Sequence, residues 1–225
     1  MEFVVTHLTR MEYPNICIAG VDYRTLENVR IVLPFPQAFT HVMLAQKGGP
    51  FDLGARLEVG EPLPHPRPPE VEDHQITLRK VRKLGYLSKE SFWQLVANKA
   101  RENIASVFGP TLEKTHQTYS SAAGEGHTSL GFLRLKCSAW LWVREFEDRT
   151  KIVLMCREGE CRLMLPVTDL RLHALAEGFP VDKAAVYRFN RMLESASSVV
   201  LSVGLTRVWS GRHWLQVNNL HVEPS

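Results

Sequence analysis

The sequence predicts a mostly β chain with accessory helices, an α+β arrangement of two small β-barrels joined by a proline-rich connector and a helix. Three observations carry this. Short apolar, β-branched runs bounded by turn signals occupy both ends of the 225-residue chain, the pattern of a barrel or sandwich made of short strands. Between them, Pro62–Pro69 places five prolines in eight residues, a composition that resists a sheet ladder and reads as an extended connector. The stretch that follows contains an apolar period of helical length.

The elements follow in chain order. Phe3–Leu8 is apolar and β-branched, Ile16–Val21 follows a Pro14-Asn15 turn signal, and Val29–Leu33 is stopped by Pro34. Ala55–Val59 alternates apolar and polar residues, as a half-buried strand does. After the connector, Ser88–Phe108 reads as one helix: Ser88 caps it, Phe92, Leu95, Val96, Ala100, Ile104 and Val107 recur on one face, and Gly109-Pro110 ends it. Thr115–Thr128 is polar and rich in Gly and Ser, the composition of a mobile loop. Strands resume at Leu130, with Leu133–Leu135, Ala139–Phe146, Ile152–Met155 and Arg162–Leu165 as candidates, the last two joined by a four-residue loop, 157–160. Asp182–Ala196 is a second helix with Val186, Phe189, Leu193 and Ala196 on one face. Val199–Leu205 and Trp214–His221 close the chain as strands. The expected division is a first barrel at 1–75, a basic helical connector and loop at 76–128, and a second barrel with an inserted helix at 129–225. His7-Leu8-Thr9-Arg10 and Gly204-Leu205-Thr206-Arg207 echo one another, each closing a β-rich run.

Bulk composition narrows the function classes. Hydrophobic residues make up 44% and charged residues 23%, which supports a packed core and argues against wholesale disorder. The net charge of +3 is too small to point to nucleic acid, so any electrostatic argument is local. There is no signal-like leader and no apolar run of about 18 residues, so no membrane association is expected. Four cysteines (Cys17, Cys137, Cys156, Cys161) are too few for a disulfide scaffold, and reduced thiols in the cytoplasm are the expectation. No nucleophile elbow, P-loop or dinucleotide-binding glycine pattern is present. Binding rather than catalysis is therefore expected, with no cofactor and no metal.

Six phrases run through nearly the whole chain: Val5-Thr6-His7-Leu8-Thr9-Arg10, Gly49-Pro50-Phe51-Asp52-Leu53-Gly54, Val71-Glu72-Asp73-His74, Pro166-Val167-Thr168-Asp169-Leu170-Arg171, Ser202-Val203-Gly204-Leu205-Thr206-Arg207 and His213-Trp214-Leu215-Gln216-Val217-Asn218-Asn219. With the architecture, they resemble the dual OB-fold-containing domain family of bacteria. The resemblance implies two OB-like barrels, nucleic-acid binding, and a place in bacterial antiviral defence or genome-conflict systems. It implies no catalytic residue set, and OB barrels also bind proteins and small ligands.

Several constellations suit nucleic acid, each with a structural alternative. Strand periodicity puts Trp140, Trp142 and Arg144 on one face, either as a stacking platform for bases or as barrel filling. Arg207-Val208-Trp209-Ser210-Gly211-Arg212-His213, followed by Trp214, mixes charge with aromatics between two strands. That suits phosphate attraction and stacking, or is an ordinary hairpin. Arg10, Arg30, Arg171 and Arg207 end β-rich runs. Arg30 and Arg171 read as ties to acids such as Asp22, Asp52 or Asp169, whereas Arg10 and Arg207 are the functional candidates because the resemblance touches both. Residues 75–101 hold seven Lys/Arg and one acid, while 50–74 hold six acids and two arginines. Arg79, Lys80, Arg82 and Lys83 thus form a basic cluster that either neutralises phosphates or pairs with the acidic stretch before it. His65, Glu70, Glu72, Asp73 and His74 are metal-ligand types in a spacing that matches no zinc pattern. Three functions stay open: a nucleic-acid-binding module, with single-stranded DNA or RNA favoured; a scaffold subunit docking on a helicase, nuclease or other defence effector; and a metal-dependent nuclease using Glu72-Asp73-His74.

Overall fold

The apolar run at the N-terminus becomes the middle of the first sheet. The structure, a computed structural model, describes residues 1–136, 138–147, 150–158 and 161–224. Strand β1 (Glu2–Arg10) pairs antiparallel with β2 (Ile16–Asp22) and with β4 (Ala55–Glu58), and β2 continues the meander into β3 (Asn28–Val32). A bulge between Val5 and His7 bends β1. Gly20 lies opposite Val5, and a Cβ there would sit 1.9 Å from the Val4 carbonyl oxygen, so only glycine fits the close approach. β3 takes a parallel partner, β6 (Asp73–Gln75).

The edges of this sheet depart from expectation. The proline-rich stretch does join the ladder: β5 (Leu63–Pro64) pairs with β6, and the His65 amide donates to the Asp73 carbonyl at 2.8 Å. Pro64 is tolerated because β5 is the outermost strand, where a missing N–H costs nothing. At the other end, part of the basic cluster forms β7 (Arg82–Tyr86), which pairs with β4. The first sheet therefore runs to residue 86, past the boundary expected at 75.

The expected single helix over 88–108 is two helices. Ser88 caps α1 (Lys89–Lys99) by accepting from the Ser91 amide, and Asn103 caps α2 (Ile104–Phe108) by accepting from Ser106. Between them the Arg101 amide donates to the Phe132 carbonyl at 2.8 Å, so the chain breaks helix to run beside a strand. The stretch expected as a loop contains a hairpin, β8 (Glu113–Thr115) and β9 (Thr118–Ala122), with Ser120 and Ser121 fully buried.

In the second unit, β10 (Leu130–Leu135) and β11 (Trp140–Glu145) are separated by four residues and occupy the two ends of one sheet path, β10-β14-β15-β13-β12-β11. This path uses β12 (Thr150–Glu158), β13 (Cys161–Val167), β14 (Val199–Leu205) and β15 (Arg212–Val222). β10 pairs with β14 at one end of the path and β11 with β12 at the other. β12 and β13 extend beyond the expected limits; of the expected four-residue loop, Gly159 and Glu160 lie outside the described residues, as does Cys137. Helix α3 (Lys183–Ser195), capped by Asp182, enters between β13 and β14.

The two units share one pairing plan. Each has a three-strand meander whose third strand takes a later strand as a parallel partner (Arg30↔Asp73; Val167↔Val217), and in each the strand before or opening the meander takes an antiparallel partner from further along the chain (β1 with β4; β10 with β14). β14 pairs with β15 in the second unit, while among the described residues the corresponding β4 and β6 of the first do not pair. The echo between 7–10 and 204–207 falls at the end of β1 in one unit and of β14 in the other. It marks no equivalent position. Each unit has an apolar core, that of the first also taking in Leu170 and Phe179 from beyond β13, and a third cluster lies between them: Val21, Val96, Phe132 and Val200, packed by Phe92 and Trp93 of α1. No helix among the described residues is long and apolar enough to cross a membrane.

Candidate nucleic-acid interface

Polar side chains stitch the two barrels together. Asn219, fully buried, acts as a substitute strand: its Oδ1 accepts from the Leu8 amide at 2.7 Å and its Nδ2 donates to the Leu8 carbonyl at 3.2 Å. Glu72 accepts from the Ser129 and Leu130 amides at 2.8 and 3.2 Å, from the Ser129 hydroxyl at 2.8 Å, and from Thr128. Arg30 donates to Asp73 at 2.9 Å and to the Ser129 hydroxyl at 2.7 Å. Arg207 reaches Glu70 at 2.9 Å and Asp73 at 3.6 Å. The acids read as metal-ligand types are thus buried partners of arginines and amides. Among the described residues no three His, Cys, Asp or Glu side chains group as a metal site.

This stitching leaves a cleft of about 430 Å³ between the units. Its floor is the outer face of the first meander. His7 and Thr9 of β1, Cys17 and Ala19 of β2, and Arg30 and Val32 of β3 share that face by register, His7 lying opposite Ala19 and Ala19 opposite Arg30. Arg10, Met11 and Glu12, at the turn from β1 to β2, form one wall. Thr206 and Arg207, at the turn from β14 to β15, form the other with Gln216 and Asn218. Gly204 makes room, since a Cβ there would lie 2.5 Å from Asn218 Nδ2.

The turn carrying Arg207 is well anchored. The Trp214 amide donates to Thr206 Oγ1 at 3.0 Å, and His213 Nδ1 lies 2.8 Å from the Thr206 carbonyl. Ser210 and Gly211 adopt φ of 53° and 73°, the two left-handed residues of a tight hairpin turn, with Trp209 and Arg212 bonded across it. Trp209 is 67% exposed; its ring centroid is 6.1 Å from that of Trp214, whose Nε1 donates to the Trp209 carbonyl.

The expected site residues are therefore split. Arg10 and Arg207 line the cleft from opposite walls, while Trp209, on the turn beyond Arg207, and Trp214, in β15, do not line it. Arg212 points elsewhere, donating to Ser120 Oγ at 2.8 Å and pairing with Glu113 at 3.0 Å. His213 is buried, accepting from the Gly124 amide. Arg79, Lys80, Arg82 and Lys83 do not line the cleft: they sit at the β7 edge, with Arg82 paired to Glu58 and Lys83 donating to Tyr86. Trp140 and Trp142 face outward, 46% and 45% exposed, with Arg144 above the Trp142 ring and Leu141 buried beneath. The barrel-filling alternative for them is overturned, because α3 and the inner strand faces already fill that core. Arg30 and Arg171 are ties: Arg171 grips Asp169 through Nε at 3.0 Å and Nη2 at 2.6 Å. Cys17, Gln37 and Asn218 were not singled out in the sequence. Neither was His173, which bonds Arg10 from 163 residues away.

OB barrels bind ligands on the face of their second and third strands and on the loops between strands 1 and 2 and strands 4 and 5. The cleft combines that face and the first of those loops from one barrel with the second of those loops from the other. No curated protein and no solved structure matched the chain. The model of the dual OB-containing domain matches residues 1–220, and the chain belongs to that family.

Proposed function

We propose that the chain binds single-stranded nucleic acid, DNA or RNA, in the cleft between its barrels, as a non-catalytic accessory protein of a bacterial defence system. The observation that carries the binding is the placement of Arg10 and Arg207 at the two walls above the outer face of β2 and β3, with the exposed Trp209 on the turn just beyond Arg207. The defence assignment rests on the family resemblance. Cations at the walls attract the backbone and the exposed indole offers a stacking surface. The test is fluorescence anisotropy with labelled single-stranded DNA, single-stranded RNA and duplex DNA at two salt concentrations. Gln37→Glu puts an anion at the exposed cleft rim without touching an ion pair, and Trp209→Ala removes the stacking surface. Single-strand affinity is expected to fall about tenfold in Trp209→Ala, in line with about 1–3 kcal/mol per stacked base, and to weaken with salt in the wild type. Absence of binding at low salt overturns the proposal.

A protein partner, such as a helicase or nuclease effector, is the second reading. It is favoured by β7, the terminal strand of the first sheet, where Leu84 and Tyr86 are 41% and 49% exposed. A strand edge of this kind accepts an added strand.

A further inference from the structure

We propose that Arg10 is the anchor of a phosphate-binding subsite in the cleft, presented by His173. The inference rests on the cleft reading above and names the chemistry of what the cleft holds.

Charge compensation sets Arg10 apart from its neighbours. Arg30 and Arg207, the other arginines of the cleft, are held by Asp73 and Glu70. Arg10 differs: among the described residues no carboxylate comes within 4.0 Å of it, although Glu12 also lines the cleft. Its side-chain partner is His173, with Arg10 Nε donating to His173 Nε2 at 3.1 Å. His173 is 6% exposed, and its Nδ1 lies 2.8 Å from the Phe179 carbonyl. That bond fixes the tautomer with the proton on Nδ1 and leaves Nε2 as the acceptor Arg10 needs. Burial and the Arg10 charge lower the His173 pKa to about 4, so the ring is neutral at pH 7 and leaves the guanidinium charge intact.

Burial also lowers the Arg10 pKa. A partly desolvated cation without a counter-charge is unfavourable until an anion arrives. With Nε engaged, the two Nη donors have no hydrogen-bond partner among the described residues, and a guanidinium fork matches phosphate oxygens in paired hydrogen bonds. The backbone beneath is fixed, since the Arg10 amide donates to the Thr168 carbonyl of the second barrel at 3.0 Å. Across the cleft stands Arg207, its side chain 58% exposed, with Gln216 and Asn218 as neutral donors. The volume of about 430 Å³ is that of a small-ligand site. It suits one phosphorylated nucleotide unit, whether free or within a strand.

The full chain is titrated by calorimetry with inorganic phosphate, a nucleoside monophosphate and a single-stranded oligonucleotide. Acetate at equal ionic strength is the control for carboxylates. Arg10→Gln removes the charge and keeps a donor; Arg10→Lys keeps the charge and removes the fork. The expected result is phosphate and monophosphate binding that weakens at least tenfold in Arg10→Gln and less in Arg10→Lys, with acetate inert. Phosphate affinity within twofold of wild type in Arg10→Gln overturns the subsite, as does equal binding of acetate. Phosphate binding that depends on Arg10 without oligonucleotide binding upholds the subsite and overturns the single-strand reading. Oligonucleotide binding unchanged in Arg10→Gln does the reverse. Circular dichroism checks that the variant folds. If it does not, the wild-type Arg10 Nε resonance decides: a shift on adding phosphate supports the subsite, and no shift overturns it.

Discussion

Replacing Arg30 by leucine removes the cation at the centre of the network between the barrels. Arg30 is 5% exposed and Asp73 4% exposed, and they pair at 2.9 Å. Without Arg30, the Asp73 carboxylate keeps, among the described residues, only Arg207 Nη2, at 3.6 Å, as an ionic partner. Ser129 loses one bond but still donates to Glu72. Removing one member of a buried pair costs about 3–5 kcal/mol, because the other charge stays buried and uncompensated. For a chain of this size each kcal/mol lowers Tm by about 2–4 °C, so a fall of roughly 6–20 °C is expected. Urea and thermal unfolding followed by circular dichroism measure it. The double variant Arg30→Leu/Asp73→Leu removes both charges, and most of the loss is expected to return. A loss below about 1 kcal/mol in Arg30→Leu, or no recovery in the double variant, would refute the reasoning.

Asn219→Ala deprives the Leu8 amide and carbonyl of their partners in a fully buried place. At about 1–3 kcal/mol for each orphaned group, a loss of roughly 2–6 kcal/mol is expected, with faster hydrogen exchange at Leu8; unchanged exchange there would contradict the strand-mimic role. Acid is also expected to destabilise the fold. Burial, the largest cause, lowers the pKa of His7 to about 3 and of His173 to about 4, from 6.5. Below pH 6.5 the unfolded chain binds protons that the folded chain refuses. Stability therefore falls by up to about 1.4 kcal/mol per pH unit for each ring, levelling off near pH 4 for His173 and pH 3 for His7, with no such change above pH 7. Equal urea midpoints at pH 7 and pH 5 would rule this out.

Local patterns carried the strands and one helix well. β1, β2, β3, β14 and β15 are apolar runs with clear stops, and Asp182 caps α3 as its position suggests. Elements stabilised from a distance were not legible. Arg101 leaves the helix because Phe132 and Arg134 offer strand partners. The polar Thr118–Ala122 is a strand because β15 pairs with it. Pro64 sits in a sheet because the edge forgives it. The candidate site shows the same limit. Arg10 and Arg207 were legible as arginines ending β-rich runs, and both reach the cleft. The stitching of Arg207 to Glu70, 137 residues earlier, has no local signature. His213 looked like part of a basic loop, yet its ring is fixed between Thr206 and Gly124. That Trp140 and Trp142 share a face followed from period-two geometry, but which way that face points depended on the rest of the sheet.

Hydrogen exchange of the full chain with and without a saturating single-stranded oligonucleotide tests the central claim most directly. Slowed exchange is expected at residues 9–12, along β2 and β3, and at 205–209, with β7 and the Trp142 face of β11 unchanged. Protection confined to β7 or β11, or no protection anywhere at saturation, would contradict a ligand held between the barrels.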